Sequence, residues 1–169
     1  MELIAIRHGE TVANVARICQ GQTQGKLTER GQNQAIVCGE KLSSETFDVI
    51  YCSDLERAVK TTELIFGCEN LDTFIKDSRL RERYFGEFQD KELVGGFDYC
   101  KDIEGVESMA DMYERVREFL EEIKGKHIGK KVVVVSHGIT IRVITSIISG
   151  KSIYDIDRPD NCSIARFIL

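Results

Sequence analysis

The sequence predicts an α/β fold in three layers, with a mostly parallel central sheet covered by helices on both faces. Short runs rich in branched apolar residues recur along the chain, helical patterns fill the intervals, and two of the runs end in the same His-Gly pair. Strands alternating with helices imply crossover connections and hence parallel neighbours. The first run, Glu2–Ile6, has the length and branching of a buried strand and is followed by Arg7-His8-Gly9. Thr28–Leu42 reads as a helix with Thr28 as its N-cap. Asp48–Cys52 is a second strand. The helix after it, Asp54–Phe66, is introduced by Ser53-x-x-Glu56, a capping-box spacing. Thr73–Lys76 is a third, shorter strand. Met109–Lys124, capped by Ser108, sets Met112, Tyr113, Val116, Phe119, Leu120 and Ile123 at helical spacing. Lys131–Val135 is the strongest strand signal and ends in Ser136-His137-Gly138. Ile139–Ile148 is apolar enough for a buried helix, and Ser163–Leu169 closes the pattern as a strand. Strand order is not legible from these runs.

A chain of 169 residues suits one domain spanning 1–169, with room for a sizeable core. No stretch approaches the roughly 20 apolar residues of a membrane span. The opening Met-Glu-Leu-Ile lacks a basic n-region, so no signal peptide is expected. A net charge of −5 argues against broad binding to nucleic acid or an anionic membrane, while leaving room for a small basic pocket. The six cysteines (Cys19, Cys38, Cys52, Cys68, Cys100 and Cys162) are scattered without a C-x-x-C pair. Reduced thiols in a cytoplasmic protein are the expectation, with neither a disulfide framework nor a zinc site. Oligomeric state is not legible.

In open α/β sheets ligands bind beyond the carboxyl ends of the strands. Arg7-His8 and Ser136-His137 both lie at such ends, and Arg57 falls in the first turn of the helix after Asp48–Cys52. Two histidines and two arginines at one rim form a cationic concavity suited to phosphate. Arginine offers paired donors, and the glycines after each histidine let backbone N–H groups approach closely. Phosphoryl transfer needs a nucleophile, charge stabilisation and an acid for the leaving oxygen. There is no G-x-x-x-x-G-K-[ST] loop. The cysteine-phosphatase spacing of Cys with Arg six positions on fails, since Cys52 precedes Arg57 by five and Cys162 precedes Arg166 by four. Asp155-Ile-Asp157 sits in a proline-containing loop, a poor setting for an aspartyl phosphate. Histidine remains, and it is an established covalent catalyst.

These residues resemble the histidine phosphatase superfamily, in its phosphoglycerate mutase-like branch. The resemblance runs through blocks in order along nearly the whole chain. They are Arg7-His8-Gly9-Glu10-Thr11 with Asn14, Gln20-Gly21 before Leu27-Thr28-x-x-Gly31, and Ser53-Asp54-Leu55-x-Arg57-Ala58. Leu80-Arg81-Glu82-Arg83-Tyr84-Phe85-Gly86, Val135-Ser136-His137-Gly138 and Asn161-Cys162-Ser163-Ile164 complete the series. The resemblance implies a phosphoglycerate mutase-like fold and a nucleophile, His8, that passes through a phosphohistidine. It implies that Arg7, Arg57 and His137 hold the phosphoryl group, that Asn14 adds a hydrogen bond, and that Glu82 protonates the leaving oxygen. Gln20, Gly21 and Gly138 join the substrate-binding set. The arginines supply the positive charge, so no metal and no cofactor is expected.

Plainer roles compete for some of these residues. Glu10 and Glu87 are rivals for the acid, Arg57 has Glu56 and Glu63 as surface partners, and Asn14 could serve only a turn. His127 reads as a solvated loop residue and Cys19 as an inert thiol near the pocket rim. Gln24 and Lys26 stand where the family commonly has aspartate and proline, and Phe88-Gln89-Asp90 departs from a common aromatic-Glu-Gly run; both segments are expected at the outer pocket. Mutases and phosphatases share this pocket. Because only about 22 residues, Glu87–Ser108, follow the acid segment, a modest lid and hydrolysis are expected. The expected substrate is a small phosphorylated metabolite such as α-ribazole 5′-phosphate. The alternatives are a phosphoglycerate mutase, an inactive phosphate-binding module, and a metal-dependent hydrolase, which adjacent arginines disfavour.

Overall fold

The branched apolar runs form the strands of one five-stranded sheet. In the computed structural model, which describes residues 1–67, 74–92, 95 and 97–169, these are β1 (Glu2–Arg7), β2 (Val49–Cys52), β3 (Ile75–Lys76), β4 (Lys131–Ser136) and β5 (Ile164–Ile168). The spatial order is β3-β2-β4-β1-β5. Pairings β1–β4, β2–β4 and β2–β3 are parallel, and β5 runs antiparallel to β1 at the edge. The helices are α1 (Val12–Val15), α2 (Glu29–Leu42), α3 (Glu56–Phe66), α4 (Met109–Lys126) and α5 (Gly138–Ser149).

Side-chain alternation along the central strands fills two cores. Leu3, Val132 and Val134 pack with Met112, Val116, Phe119 and Ile123 of α4 and with Val143 and Ile144 of α5. Ile4, Ile6, Val133 and Val135 face the other way, onto Ala35, Cys38 and Leu42 of α2 and Ala58 and Ile65 of α3. The expected three layers follow, with α4 and α5 on one face and α2 and α3 on the other.

Thr28 caps α2 by accepting from Gly31 N at 2.9 Å, and Ser108 caps α4 by accepting from Asp111 N at 3.0 Å. The capping box expected at Ser53-x-x-Glu56 does not form. The N-cap of α3 is Leu55, with no side-chain cap of its own, and Gln24 Oε1 accepts from Glu56 N at 2.8 Å instead. Ser53 Oγ accepts from Leu55 N at 3.4 Å instead of from Glu56 N. The third strand is shorter than expected: Ile75 and Lys76 are exposed, Phe74 is buried, and Thr73 lies outside the described residues. Cys19, Cys38, Cys52, Cys100 and Cys162 are free thiols, and Cys68 lies outside the described residues. His127 is no free loop residue. It ends α4, and its Nε2 lies 2.9 Å from the Tyr51 hydroxyl. Among the described residues, no helix is long and apolar enough to cross a membrane.

Candidate active site

Strand register builds the site. Arg7 pairs with Ser136, and Val135 with Cys52, so the carboxyl ends of β1, β4 and β2 reach one rim. His8 N donates to Ser136 O at 2.9 Å and Ser53 N to Val135 O at 3.0 Å, which extends the ladder into the residues that follow each strand. The His8 and His137 rings consequently meet, with centroids 5.2 Å apart.

A cavity of about 100 Å³ opens at this rim, lined by Arg7, His8, Asn14, Gln20, Gly21, Arg57, Glu82 and Gly138. Eight of the nine residues picked out by sequence therefore share its wall. The ninth, His137, is fully buried behind it and reaches the site through its contact with His8. Ile18, Cys19, Phe85, Tyr99, Ile139, Arg142 and Arg158 complete the lining.

His8 is buried, and its Nδ1 lies 2.7 Å from Gly9 O. A carbonyl can only accept, so Nδ1 carries the proton and Nε2 keeps the lone pair. Burial, reinforced by the positive charges of Arg57 and Arg7, holds His8 well below its ordinary value of 6.5. The same causes in the same order, burial and then Arg57, hold His137 low. His137 Nε2 lies 2.8 Å from Ser53 Oγ, while its Nδ1 is buried without a partner.

The arginines present unused donors. Arg57 spends Nη2 on Gly21 O at 2.7 Å and Nη1 on Thr23 O at 2.8 Å; Arg7 spends Nη1 on Pro159 O at 2.6 Å. The Nε atoms of both are buried and unpartnered. Burial pushes each guanidinium down to about 10, which still leaves both cationic at neutral pH. Orphaned buried donors are costly unless a ligand meets them. Two of them, Arg7 Nε and Arg57 Nε, belong to side chains grouped at this rim, beside the unpartnered ring nitrogen His137 Nδ1.

Glu82 is the carboxylate of the cavity wall. Its Oε2 accepts from Ile139 N at 3.2 Å, in the first turn of α5, and its Oε1 accepts from Arg83 N at 3.0 Å. The rivals are elsewhere: Glu10 accepts from Thr28 Oγ1 at 2.9 Å and faces Arg30, and Glu87 is exposed beside Lys91. The backbone under Glu82 is fastened by Arg115 of α4, whose Nη1 donates to Arg79 O and Arg81 O at 2.6 and 2.9 Å. Ser136 Oγ adds a bond to Leu80 O at 2.7 Å.

The glycines do less for phosphate than the sequence implied. Gly9 N is already committed to Thr61 Oγ1 at 3.0 Å, and a methyl group there would stand 2.5 Å from Gly31 O, so packing requires this glycine. Gly138 is different: a methyl group on it would stand 3.7 Å from Arg7 Nε, 3.8 Å from Glu82 Oε2 and 3.9 Å from Arg158 Nε, in the middle of the site. Asn14 Oδ1 is engaged by Thr11 N at 3.2 Å and Asn161 Nδ2 at 3.4 Å, which turns its amide nitrogen into the group free to donate. Cys19 does reach the wall, with its thiol pushed up to about 11 by burial, as an inert residue would be. Gln24 and Gln89 do not line the cavity. Gln24 caps α3, and Gln89 Oε1 accepts from Gln22 N at 2.8 Å, bracing the Gln20-Gly21 loop. Arg158, Arg142, Tyr99 and Arg115 escaped the sequence reading because no strand end or spacing marks them. The one cue was an arginine beside Pro159. Among the described residues, no group of three or more His, Cys, Asp or Glu is placed to hold a metal ion.

A lone pair on buried neutral His8 predicts that activity persists in mildly acid solution. Protonation removes the nucleophile, and the depressed value moves that loss to lower pH. The acid limb of kcat/KM assigned to His8 therefore falls below pH 6.5, as a profile from pH 4 to 8 checks.

The chain is similar to known proteins over most of its length. The chain is 32% identical over 185 residues to the Serratia proteamaculans protein named "Probable phosphoglycerate mutase GpmB", covering 98% of this chain and 84% of that one. It is 34% identical over 163 residues to phosphoserine phosphatase 1 of Hydrogenobacter thermophilus, covering 89% and 77%. The structure of the alpha-ribazole phosphatase from Shigella flexneri superposes with a TM-score of 0.84 at 26% identity, over 98% of this chain and 89% of that one. Residues 3–169 match the histidine phosphatase superfamily (branch 1), and the chain belongs to that family of enzymes.

Proposed function

We propose that this chain hydrolyses small phosphomonoesters without a metal, through a covalent phosphohistidine on His8. The observation that carries the reading is the protonated Nδ1 of His8 on Gly9 O. It leaves a neutral Nε2 at a cavity whose arginines hold unpartnered buried donors. Phosphate enters with its equatorial oxygens toward Arg7 Nε, Arg57 Nε, His137 Nδ1 and Asn14 Nδ2. His8 Nε2 forms a bond to phosphorus as the ester P–O bond breaks, and Glu82 gives its proton to the leaving oxygen. Glu82 then takes a proton from water, the water oxygen bonds to phosphorus, and the P–N bond breaks to release orthophosphate and neutral His8. Ser53, donating to His137 Nε2, keeps the proton of that ring on Nδ1, where phosphate needs it.

The short stretch after Gly86 supports hydrolysis over phosphoryl return, because a mutase must keep water from its phosphoenzyme. α-Ribazole 5′-phosphate and the carboxylate-bearing esters implied by the names of the relatives are the two substrate chemistries to compare. Phosphate release from p-nitrophenyl phosphate in excess EDTA tests the reading. Turnover at the rate seen without chelator is expected, and turnover abolished by EDTA and restored by a divalent cation would overturn it.

A further inference from the structure

Phosphate capture and proton transfer use neither Arg142 nor Arg158 of the cavity wall; Arg142 is spent on Ile156 O and Ile153 O, which leaves Arg158 without a task. Arg158 Nε stands 3.9 Å from where a methyl on Gly138 would be, close to Arg7 and Glu82, so it borders the phosphate position. Arg158 also lines two outer cavities, sharing both with Asn14. One of these contains Glu10 and Asp160. The other runs past Ile18 and Tyr99 to Arg17, and among the described residues no carboxylate lines it.

Arg17 and Arg158 are unpaired. Among the described residues neither makes a hydrogen bond or ion pair through its guanidinium. Arg79, Arg81, Arg115 and Arg166 each close on a carboxylate, as expected in a chain with net charge −5. Two free guanidinium groups therefore flank one acid-free cavity next to a third, buried one. Arg17 is held at φ 56°, a left-handed conformation that a non-glycine residue seldom adopts. It lies just past the end of α1, where its N–H donates to Asn14 O at 3.2 Å and ties it to a residue that lines both outer cavities.

We propose that Arg158 and Arg17 form a second anion subsite, which selects phosphomonoesters carrying a carboxylate a few bonds beyond the phosphate. This rests on the phosphate occupying the His8 cavity. A substrate with a neutral distal group, such as α-ribazole 5′-phosphate, leaves both guanidinium groups unmet. The acidic wall of the neighbouring cavity turns the carboxylate toward Arg17.

The test is calorimetric binding of 3-phosphonopropionate and of its carboxamide to the wild-type protein. The C–P bond resists hydrolysis, so no turnover is needed. The wild type is expected to bind the acid about tenfold more tightly than the amide, the scale of one charge-assisted contact. Arg158→Gln removes most of that preference, and Arg158→Lys restores part of it. Equal affinities in the wild type would overturn the subsite, as would a preference unchanged in both Arg158→Gln and Arg17→Gln. A loss of affinity equal for acid and amide would make Arg158 a phosphate ligand instead. Failure of the wild type to bind either compound would overturn both the subsite and the phosphate cavity. A failure of hydrolysis alone, with the preference intact, would overturn only the catalytic reading.

Discussion

Replacing His8 with alanine lowers kcat for p-nitrophenyl phosphate by about 10⁴-fold or more, the scale seen when a covalent nucleophile is lost. Arg7, Arg57, His137 and Glu82 remain, so phosphate still binds, but attack falls to water that no ring nitrogen replaces. The fold survives, because the backbone bonds of residue 8 to Ser136 O and from Asn161 Nδ2 do not involve the imidazole. The expected pattern is therefore a lost kcat, a retained affinity for inorganic phosphate and a native melting transition. A His8→Ala protein that keeps a tenth of wild-type turnover would remove His8 from the mechanism.

Arg57→Ala costs about 10²–10³ in kcat, the loss that follows removal of one positioned donor to developing charge. Its consequences run further than one hydrogen bond. Nη1 and Nη2 tie down Thr23 O and Gly21 O, so truncation also releases the loop that carries Gln20. Arg57→Lys recovers little, since one ammonium cannot serve two carbonyls and a phosphate oxygen from a single point. Arg57 is fully buried, and a melting curve must accompany the kinetics to separate lost catalysis from lost fold. Wild-type kcat in a folded Arg57→Ala protein would contradict the assigned role.

Branched runs four to six residues long were legible as strands because both faces of the sheet are covered, and the ends of the β1, β2 and β4 runs pointed at the rim. His8, Arg57 and His137 were legible for that reason, and Glu82 through the block that surrounds it. What failed was local. Ser53 has a helix-capping pattern in sequence, yet the N–H it would cap, that of Glu56, is taken by Gln24 from another segment, a partner no local pattern reveals. Gly9 looked like a phosphate donor, but its N–H is taken by Thr61, fifty-two positions away. Arg115 and Arg158 act across the fold, one from α4 and one from the loop before β5, and pairwise distance in space leaves no periodicity in sequence.

The stereochemical course at phosphorus tests the central claim most directly. A phosphomonoester made chiral with ¹⁶O, ¹⁷O and ¹⁸O is transferred by the enzyme to an alcohol acceptor, and the configuration of the product is read. Two in-line displacements through His8 predict net retention. Net inversion would mean a single direct displacement and would contradict the phosphohistidine account.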